Sequence, residues 1–301
     1  MKQVSQVYSG PPASLVRCIG SITGLDEGQA GLLVAMGGAY IGKYRCKEPE
    51  RLVEAGTQIS AYYRLPLTLE PIAFDPAWIV EDNKQFLVAA KPAGIPTQGR
   101  RDADYMAFYE ILKNNLTGYL GLHHRLDQDT SGLMLFSRSP RMNPDLARAF
   151  RERLISKSYL AVAEGAWPFK ESRLILEHPI APERGPHGTR QRVDRSGKPA
   201  LTLLTRIFQD SGLILAVAQP LTGRTHQIRV HLSHHGMPLW GDALYGSQNS
   251  DGFLLHCHRL AWNKVGALPA AEFRCAAPDA WRQRLPKTMA DRYRDWLERV
   301  C

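Results

Sequence analysis

The pattern of hydrophobic and polar positions changes character near residue 75. In the first 70 residues, Val53–Arg64 (VEAGTQISAYYR) alternates apolar and polar positions after a turn signal, which predicts a strand. Ala39–Arg45 is its candidate partner, so a small β-containing N-terminal module is expected. Pro66, Pro71 and Pro76 then mark a linker, because proline resists helix interiors and central strands. From Ile79 onward the runs lengthen. Phe86–Ala90 reads as a buried strand closed by Lys91-Pro-Ala-Gly94, Tyr105–Leu116 has helical spacing, and Leu133–Phe136 is a continuous apolar strand. Asn143–Leu154 predicts a helix with Asn143 as N-cap and Pro144 in the first turn; Leu146, Phe150 and Leu154 recur at i, i+4 and i+8. Strands follow at Lys157–Ala163, Leu201–Phe208 and Leu213–Ala218, the last two joined by an Asp210-Ser-Gly212 turn. Arg224–Gly236 predicts a helix, Phe253–Trp262 a strand, and Pro278–Val300 a closing helix bent near Pro286. Hairpin-type connections dominate after residue 157. The expectation is an α+β fold with a mixed, largely antiparallel central sheet flanked by helices in residues 73–301, preceded by a small module in residues 1–72.

Composition narrows the function. The chain has 301 residues, enough for one large or two ordinary domains. Lys plus Arg exceeds Asp plus Glu, 38 against 29, giving a net charge of +9 and pointing to a polyanionic partner, nucleic acid first. With 44% hydrophobic and 22% charged residues, a disordered chain or a coiled coil is excluded. The longest apolar stretch, Ala30–Gly42, carries four glycines and is too short to span a bilayer, which needs about 20 residues. The N-terminus MKQVSQVYSGPP lacks the uninterrupted apolar region of a secretory signal. Cys18, Cys46, Cys257, Cys275 and Cys301 are odd in number, scattered and free of C-x-x-C spacing, so a reduced, cytoplasmic chain is expected.

Three segments concentrate chemistry. His124-Arg-Leu-Asp-Gln-Asp-Thr-Ser-Gly132 feeds the Leu133–Phe136 strand and reads as a loop at a sheet edge. Either Asp127 or Asp129 suits a nucleophile or general base, while an Asx-turn capped by Thr130 and Ser131 explains the same residues structurally. In Gly223-Arg-Thr-His-Gln-Ile-Arg-Val-His-Leu232, helical spacing puts Thr225, Arg229 and Leu232 near one face, with His226 and Val230 on another. An arginine entering a buried face needs an anionic partner, for which Asp127 would serve; phosphate binding or a solvated basic face is the alternative, and Arg224 suits a structural or phosphate-facing role. In Lys157-Ser-Tyr-Leu-Ala161, Tyr159 alternates with Leu160 and can face a cleft, stack on a base or exchange a proton, or simply pack in the core.

Taken together, these segments resemble the RluA family of RNA pseudouridine synthases. His124–Gly132 matches that family's H-R-L-D-x-x-T-S-G motif, Lys157–Ala161 its K-x-Y-L-A strand, Gly223–Leu232 its G-R-T-H-Q-I-R-V-H-L helix and Gly241–Gly246 its G-D-x-x-Y-G turn. Lesser matches are Lys91–Gly94, Gly197-Lys-Pro-Ala200 with Thr202, and Leu255-His256, so the likeness spans roughly residues 75–275. The resemblance implies that Asp127 is the essential carboxylate, acting at the sugar or base of a uridine or beginning proton abstraction at the ribose. It implies that Tyr159 lies against the uracil and assists proton removal from carbon 5, that Arg229 pairs with Asp127, and that Arg125 fills the stack vacated by the extruded nucleotide. The implied RNA-facing set is Arg125, His124, Thr130, Arg224, His226 and Gln227, with Asp129 a turn residue.

Pseudouridine formation breaks a C–N bond, turns the free uracil and makes a C–C bond. It involves no net redox change, so neither cofactor nor metal is expected. The base must leave the stack to be reached, at a cost of a few kcal/mol. The substrate class would be structured ribosomal or transfer RNA, with no membrane or metal partner, and the chain is expected to act as a monomer. Arg138, Arg141, Arg148, Arg151, Arg153 and Lys157 form one basic cluster; Arg184, Arg190, Arg192, Arg195 and Lys198, in a Gly/Pro-rich loop, form a second. Gly38–Arg64 loosely resembles the two-strand half of an αββ-type RNA-binding module, but where a basic helix should precede it, Leu25-Asp-Glu-Gly28 is acidic. Two rival readings remain. His226, His231, His234, His235, His256, Cys257 and His258 are candidate metal ligands without H-E-x-x-H or C-x-x-C spacing. A non-catalytic RNA-binding protein of the same fold would show decay of the acid loop, tyrosine or basic helix, and all three are intact.

Overall fold

The computed structural model describes residues 1–67, 72–185 and 188–300; Pro71 of the expected linker and Cys301 lie outside the described residues. The chain divides into two units, Met1–Asp75 with Pro96–Thr117, and Pro76–Ile95 with Gly118–Cys301. The expected division at 72/73 falls at 75/76, and residues 96–117 fold with the first unit. Their acids are the reason, since Asp102 pairs with Arg64 at 2.9 Å and Asp104 with Arg45 and Lys47 at 2.9 and 2.6 Å.

In the first unit the order is β1 (Lys2–Val7), β2 (Ala13–Ser14), α1 (Leu15–Thr23), α2 (Glu27–Met36), β3 (Ala39–Ile41), β4 (Tyr44–Arg45), β5 (Leu52–Val53), β6 (Gln58–Tyr63) and α3 (Phe108–Asn115). Its main sheet runs β1-β6-β3-β4. The expected strand at 53–64 is shorter, broken by a turn at Gly56, and its expected partner at 39–45 is a hairpin of β3 and β4 rather than one strand. The acidic Leu25–Gly28 segment is a helix start: the Asp26 carboxylate accepts from the Gln29 N–H at 2.8 Å, and Glu27 occupies the first turn of α2, where the helix dipole favours an anion. Leu15, Ile19, Leu33, Val34, Ile59 and Ala61 form the core of this unit.

The second unit contains β7 (Ile79–Asp82), β8 (Phe86–Lys91), β9 (Gly121–Leu122), β10 (Ser131–Ser137), α4 (Asn143–Arg151), β11 (Ile155–Glu164), β12 (Arg173–Glu177), β13 (Ile180–Gly185), β14 (Gly188–Val193), β15 (Leu201–Asp210), β16 (Leu213–Pro220), α5 (Gln227–His234), β17 (Leu255–Trp262), β18 (Ala271–Arg274), α6 (Ala280–Arg284) and α7 (Lys287–Val300). Its main sheet has ten strands among the described residues, in the order β12-β15-β16-β11-β17-β10-β8-β7, with β18 on β17 and β9 on β10. Every pairing in it is antiparallel except β10 with β17, so the sheet is mixed and largely antiparallel as expected. Ser211 and Gly212, both at positive φ, make the tight β15–β16 turn, the backbone state that suits a twisted hairpin.

Three local expectations are corrected. The helix at 143 ends at Arg151; Arg153 adopts φ 60°, and Leu154 falls outside it, exposed. Asn143 is not the cap: a 3₁₀ turn at Pro140–Met142 precedes it, and the Ser139 hydroxyl accepts from the Arg141 N–H. The basic loop around 184–198 is largely a two-stranded hairpin, β13 with β14. The closing helix breaks into α6 and α7 at Leu285-Pro286, where the ring removes a backbone donor. Trp281, Leu285, Met289 and Tyr293 of these helices cover Leu160, Val162 and Leu215 of the sheet.

Candidate active site

The chemistry-bearing residues meet where β8 ends, β10 begins, and β11 and β17 pass beside them. Ser131 and Gly132 pair with His256 and Cys257, Gly132 also pairs with Lys91, and Tyr159 pairs with Cys257. Gly132 is required at this junction. Its φ is +111°, and a Cβ there would stand 2.4 Å from the Cys257 carbonyl oxygen. The loop preceding β10 carries Asp127, with the Thr130 N–H closing a turn onto the Asp127 carbonyl at 3.1 Å. Asp129 lies in that turn.

Lys91 holds the loop from beneath. Its side chain is buried, and its Nζ donates to the carbonyls of Pro92, Ile95 and Gln128 at 2.7, 2.7 and 2.9 Å. Burial pulls the Lys91 ammonium down to about 7 against the opposing charges of Asp129 and Asp127.

Asp127 faces two groups from the segment 223–232. Arg229 Nη1 lies 3.4 Å from its Oδ2, and His226 Nε2 lies 3.9 Å from its Oδ1. The expected Arg229–Asp127 contact is therefore present, but it is not the guanidinium's main bond. Arg229 Nε and Nη2 donate to the two oxygens of buried Asp242 at 2.6 and 2.8 Å. The Tyr245 and Phe253 rings pack against the guanidinium, with centroids 4.8 and 4.4 Å away. Burial works against the charge on Arg229, and the hydrogen bonds and charge of Asp242, with Asp127, more than offset it. Asp242 belongs to the quoted Gly241–Gly246 turn, whose spacing was the signal that could have found it.

Tyr159 is buried, and burial pushes its hydroxyl well above the usual tyrosine range, reinforced by Cys257 and Asp127. It is a neutral phenol in this environment. Cys257 is likewise pushed up to about 12 by burial, far from a reactive thiolate.

Several residues expected to face RNA point inward instead. His124 Nε2 accepts the Leu135 N–H at 2.9 Å and the ring stacks on Phe150 at 4.5 Å, so it props the loop against β10. Gln227 is saturated by protein: its amide oxygen accepts from the Thr222 hydroxyl and the Arg224 N–H, and its nitrogen donates to Leu201 O and Thr202 Oγ1. Thr130 is buried. Arg224 Nε donates to the Pro199 carbonyl at 3.0 Å, which matches a structural role. Arg125 is exposed. The helical face reading is also amended: α5 starts at Gln227, so Thr225 and His226 precede it, His226 at φ +55°. In the basic clusters, Arg138 pairs with Asp82, while Arg190 and Arg192 share Glu183 and Arg192 also pairs with Asp194. Lys157 lies over the Phe150 ring. Arg141, Arg151, Arg153, Arg184, Arg195 and Lys198 stay exposed.

The histidines form no metal centre in this arrangement. Among the described residues, no group of three or more His, Cys, Asp or Glu side chains is placed to hold a metal ion. His256 is fully engaged: Nδ1 bonds Ser131 Oγ at 2.9 Å and Nε2 bonds the Cys275 carbonyl at 3.1 Å, leaving no free lone pair.

Residues 85–234 match the family model for RNA pseudouridylate synthase. An uncharacterised RNA pseudouridine synthase of Zymomonas mobilis is 33% identical over 217 residues, covering 69% of this chain and 94% of that protein. A mitochondrial tRNA pseudouridine(32) synthase of Saccharomyces cerevisiae is 31% identical over 59% of this chain and 38% of its own length. Ribosomal large subunit pseudouridine synthase C of Buchnera aphidicola is 31% identical over 60% of this chain and 58% of its own length. Among solved structures, human RNA pseudouridylate synthase domain containing 1 superposes with a TM-score of 0.56 at 27% identity, over 69% of this chain and 86% of that one. With the acid loop, the tyrosine strand and the arginine helix intact around one junction, the chain belongs to the RluA family of RNA pseudouridine synthases, isomerases that convert uridine in RNA to pseudouridine.

Proposed function

We propose that this protein isomerises specific uridines in structured ribosomal or transfer RNA, with Asp127 as the reacting carboxylate. The observation that carries this reading is the Asp127 carboxylate set against the Arg229 guanidinium at 3.4 Å, a cation fixed in turn by buried Asp242. A restrained cation fixes the orientation of the carboxylate beside it, and a nucleophile or base must be held in its reacting geometry. In the reaction the N1–C1′ bond breaks, the C5–C1′ bond forms, the C5 hydrogen leaves as a proton and N1 gains one. Tyr159 serves as a neutral phenol packed against the uracil; its raised pKa argues against a resting phenolate base. Arg125, exposed on the same loop as Asp127, fills the stack left by the extruded nucleotide. Exposed Arg141, Arg151, Arg153, Arg184, Arg195 and Lys198 supply phosphate contacts, making binding salt-dependent. The names of the yeast and Buchnera relatives support transfer and ribosomal RNA as substrate classes. The reading extends to a monomer in the cytoplasm, supported by the free state of Cys18, Cys46, Cys257 and Cys275; cell fractionation and sedimentation check it. Release of tritium from RNA labelled at C5 of uridine tests the function. Wild-type protein is expected to release it and Asp127→Asn is not, while both bind the RNA.

A further inference from the structure

His226 has a role that its sequence position alone does not disclose. Its Nδ1 lies 2.8 Å from the Tyr245 hydroxyl, which also receives the backbone N–H of Gln191 at 3.0 Å. Gln191 belongs to β14 of the basic hairpin. A backbone N–H can only donate, so the Tyr245 oxygen is the acceptor in that bond. Its own proton then needs an acceptor, because Tyr245 is buried and an unmet buried hydroxyl is costly. His226 Nδ1, 2.8 Å away, is placed to accept it. Donation to Nδ1 requires that this nitrogen carry no proton, which puts the ring hydrogen on Nε2. That nitrogen is the one directed at Asp127 Oδ1, 3.9 Å away.

We propose that His226 is a positioning residue for the Asp127 carboxylate: a neutral imidazole, held as the Nε2–H tautomer by the Gln191–Tyr245 relay, that presents its N–H to Oδ1 while Arg229 holds Oδ2. This deepens the proposed function and rests on Asp127 being the reacting carboxylate. Two further observations agree. Burial lowers the pKa of His226, with Arg229 adding to that and Asp127 and Asp242 opposing it, so the ring is neutral near pH 7. His226 also sits at φ +55°, a strained backbone state for a non-glycine residue, which aims the ring at the loop instead of along the helix. At 3.9 Å the N–H is beyond hydrogen-bond range, and a shift of about 1 Å when RNA fills the site would complete the bond. The relay also links the carboxylate to the basic hairpin, so displacement of β14 would free the tautomer.

The test uses the full chain. In protein labelled with ¹⁵N at histidine, His226 is expected to show a pyridine-type Nδ1 and a pyrrole-type Nε2, and Tyr245→Phe to abolish that preference. On [5-³H]uridine-labelled RNA from cells lacking the gene, Tyr245→Phe should lower kcat about tenfold, the worth of one buried hydrogen bond, with KM unchanged. His226→Gln, whose amide nitrogen replaces Nε2–H, should retain more activity than His226→Ala. A pyrrole-type Nδ1 in the wild-type protein overturns the proposal, as does a Tyr245→Phe protein with unaltered kcat and spectrum. The spectrum needs no turnover, so failure of the tautomer is distinguishable from failure of the Asp127 reading, which an active Asp127→Asn protein would expose.

Discussion

Asp242→Ala is the sharpest perturbation of the site's electrostatics. It removes both strong acceptors of Arg229, at 2.6 and 2.8 Å, and leaves one 3.4 Å contact to Asp127. Arg229 is only 7% exposed, so water cannot replace the lost carboxylate. Breaking a buried ion pair from one side costs about 3–5 kcal/mol, much of it the stranded charge. A pair of unit charges at about 4 Å in an effective dielectric of about 20 gives a similar figure, about 4 kcal/mol. The freed guanidinium should move onto Asp127, and a displacement of about 1 Å in a catalytic pair costs roughly a hundredfold in rate. Urea unfolding and single-turnover tritium release measure the two effects separately. Arg229→Met combined with Asp242→Leu should recover at least about 2 kcal/mol relative to Asp242→Ala, because an apolar pair replaces a buried ion pair at little cost, yet remain inactive. If Asp242→Ala unfolds within about 0.5 kcal/mol of the parent and turns over normally, the assignment of Asp242 as the anchor of Arg229 is wrong.

Three further outcomes are expected. Gly132→Ala forces a side chain into φ +111° and within 2.4 Å of the Cys257 carbonyl; a loss of about 3 kcal/mol in chemical unfolding checks this, and a neutral variant contradicts it. Lys91→Met strands the carbonyls of Pro92, Ile95 and Gln128 at about 1–3 kcal/mol each, and faster amide exchange in residues 127–130 than in the parent is the readout. Burial holds His231, His256 and His258 at about 4 in the folded chain. Unfolded histidine titrates near 6.5, so between these values the unfolded chain binds more protons. Stability is therefore full above about pH 6.5 and declines toward pH 4, by on the order of 1–2 kcal/mol per histidine at pH 5. Urea midpoints at pH 7 and pH 5 that coincide would refute that linkage.

The sheet was legible where apolar runs are long. Phe86–Ala90, Leu133–Phe136 and Lys157–Ala163 lie within β8, β10 and β11 because a strand covered on both faces has no polar alternation to confuse its period. The second helix of the first unit was hidden for the opposite reason: Ala30, Leu32, Leu33, Val34, Ala35 and Met36 spread apolar groups around the helix, so no amphipathic stripe marks it. In the site, the short motifs carried Asp127, Tyr159 and Arg229 to one junction. They did not reveal that Gln227 and His124 spend their hydrogen bonds inside the protein, since a polar residue in a motif looks the same whether it faces ligand or backbone. Nor could local spacing rank the two carboxylates that reach Arg229, one 13 positions away in sequence and the other 102. The pairing of β13 with β14 was obscured by Pro182, which a strand outside a central sheet position tolerates.

Asp127 is proposed to carry out uridine isomerisation in cellular RNA. Transcriptome-wide pseudouridine mapping in cells lacking the gene, complemented with either the wild-type chain or Asp127→Asn, tests it directly. One or a few ribosomal or transfer RNA positions are expected to lose pseudouridine on deletion, regain it with the wild-type chain and stay as uridine with Asp127→Asn. Full restoration by Asp127→Asn, or a pseudouridine map unchanged by deletion, would contradict it.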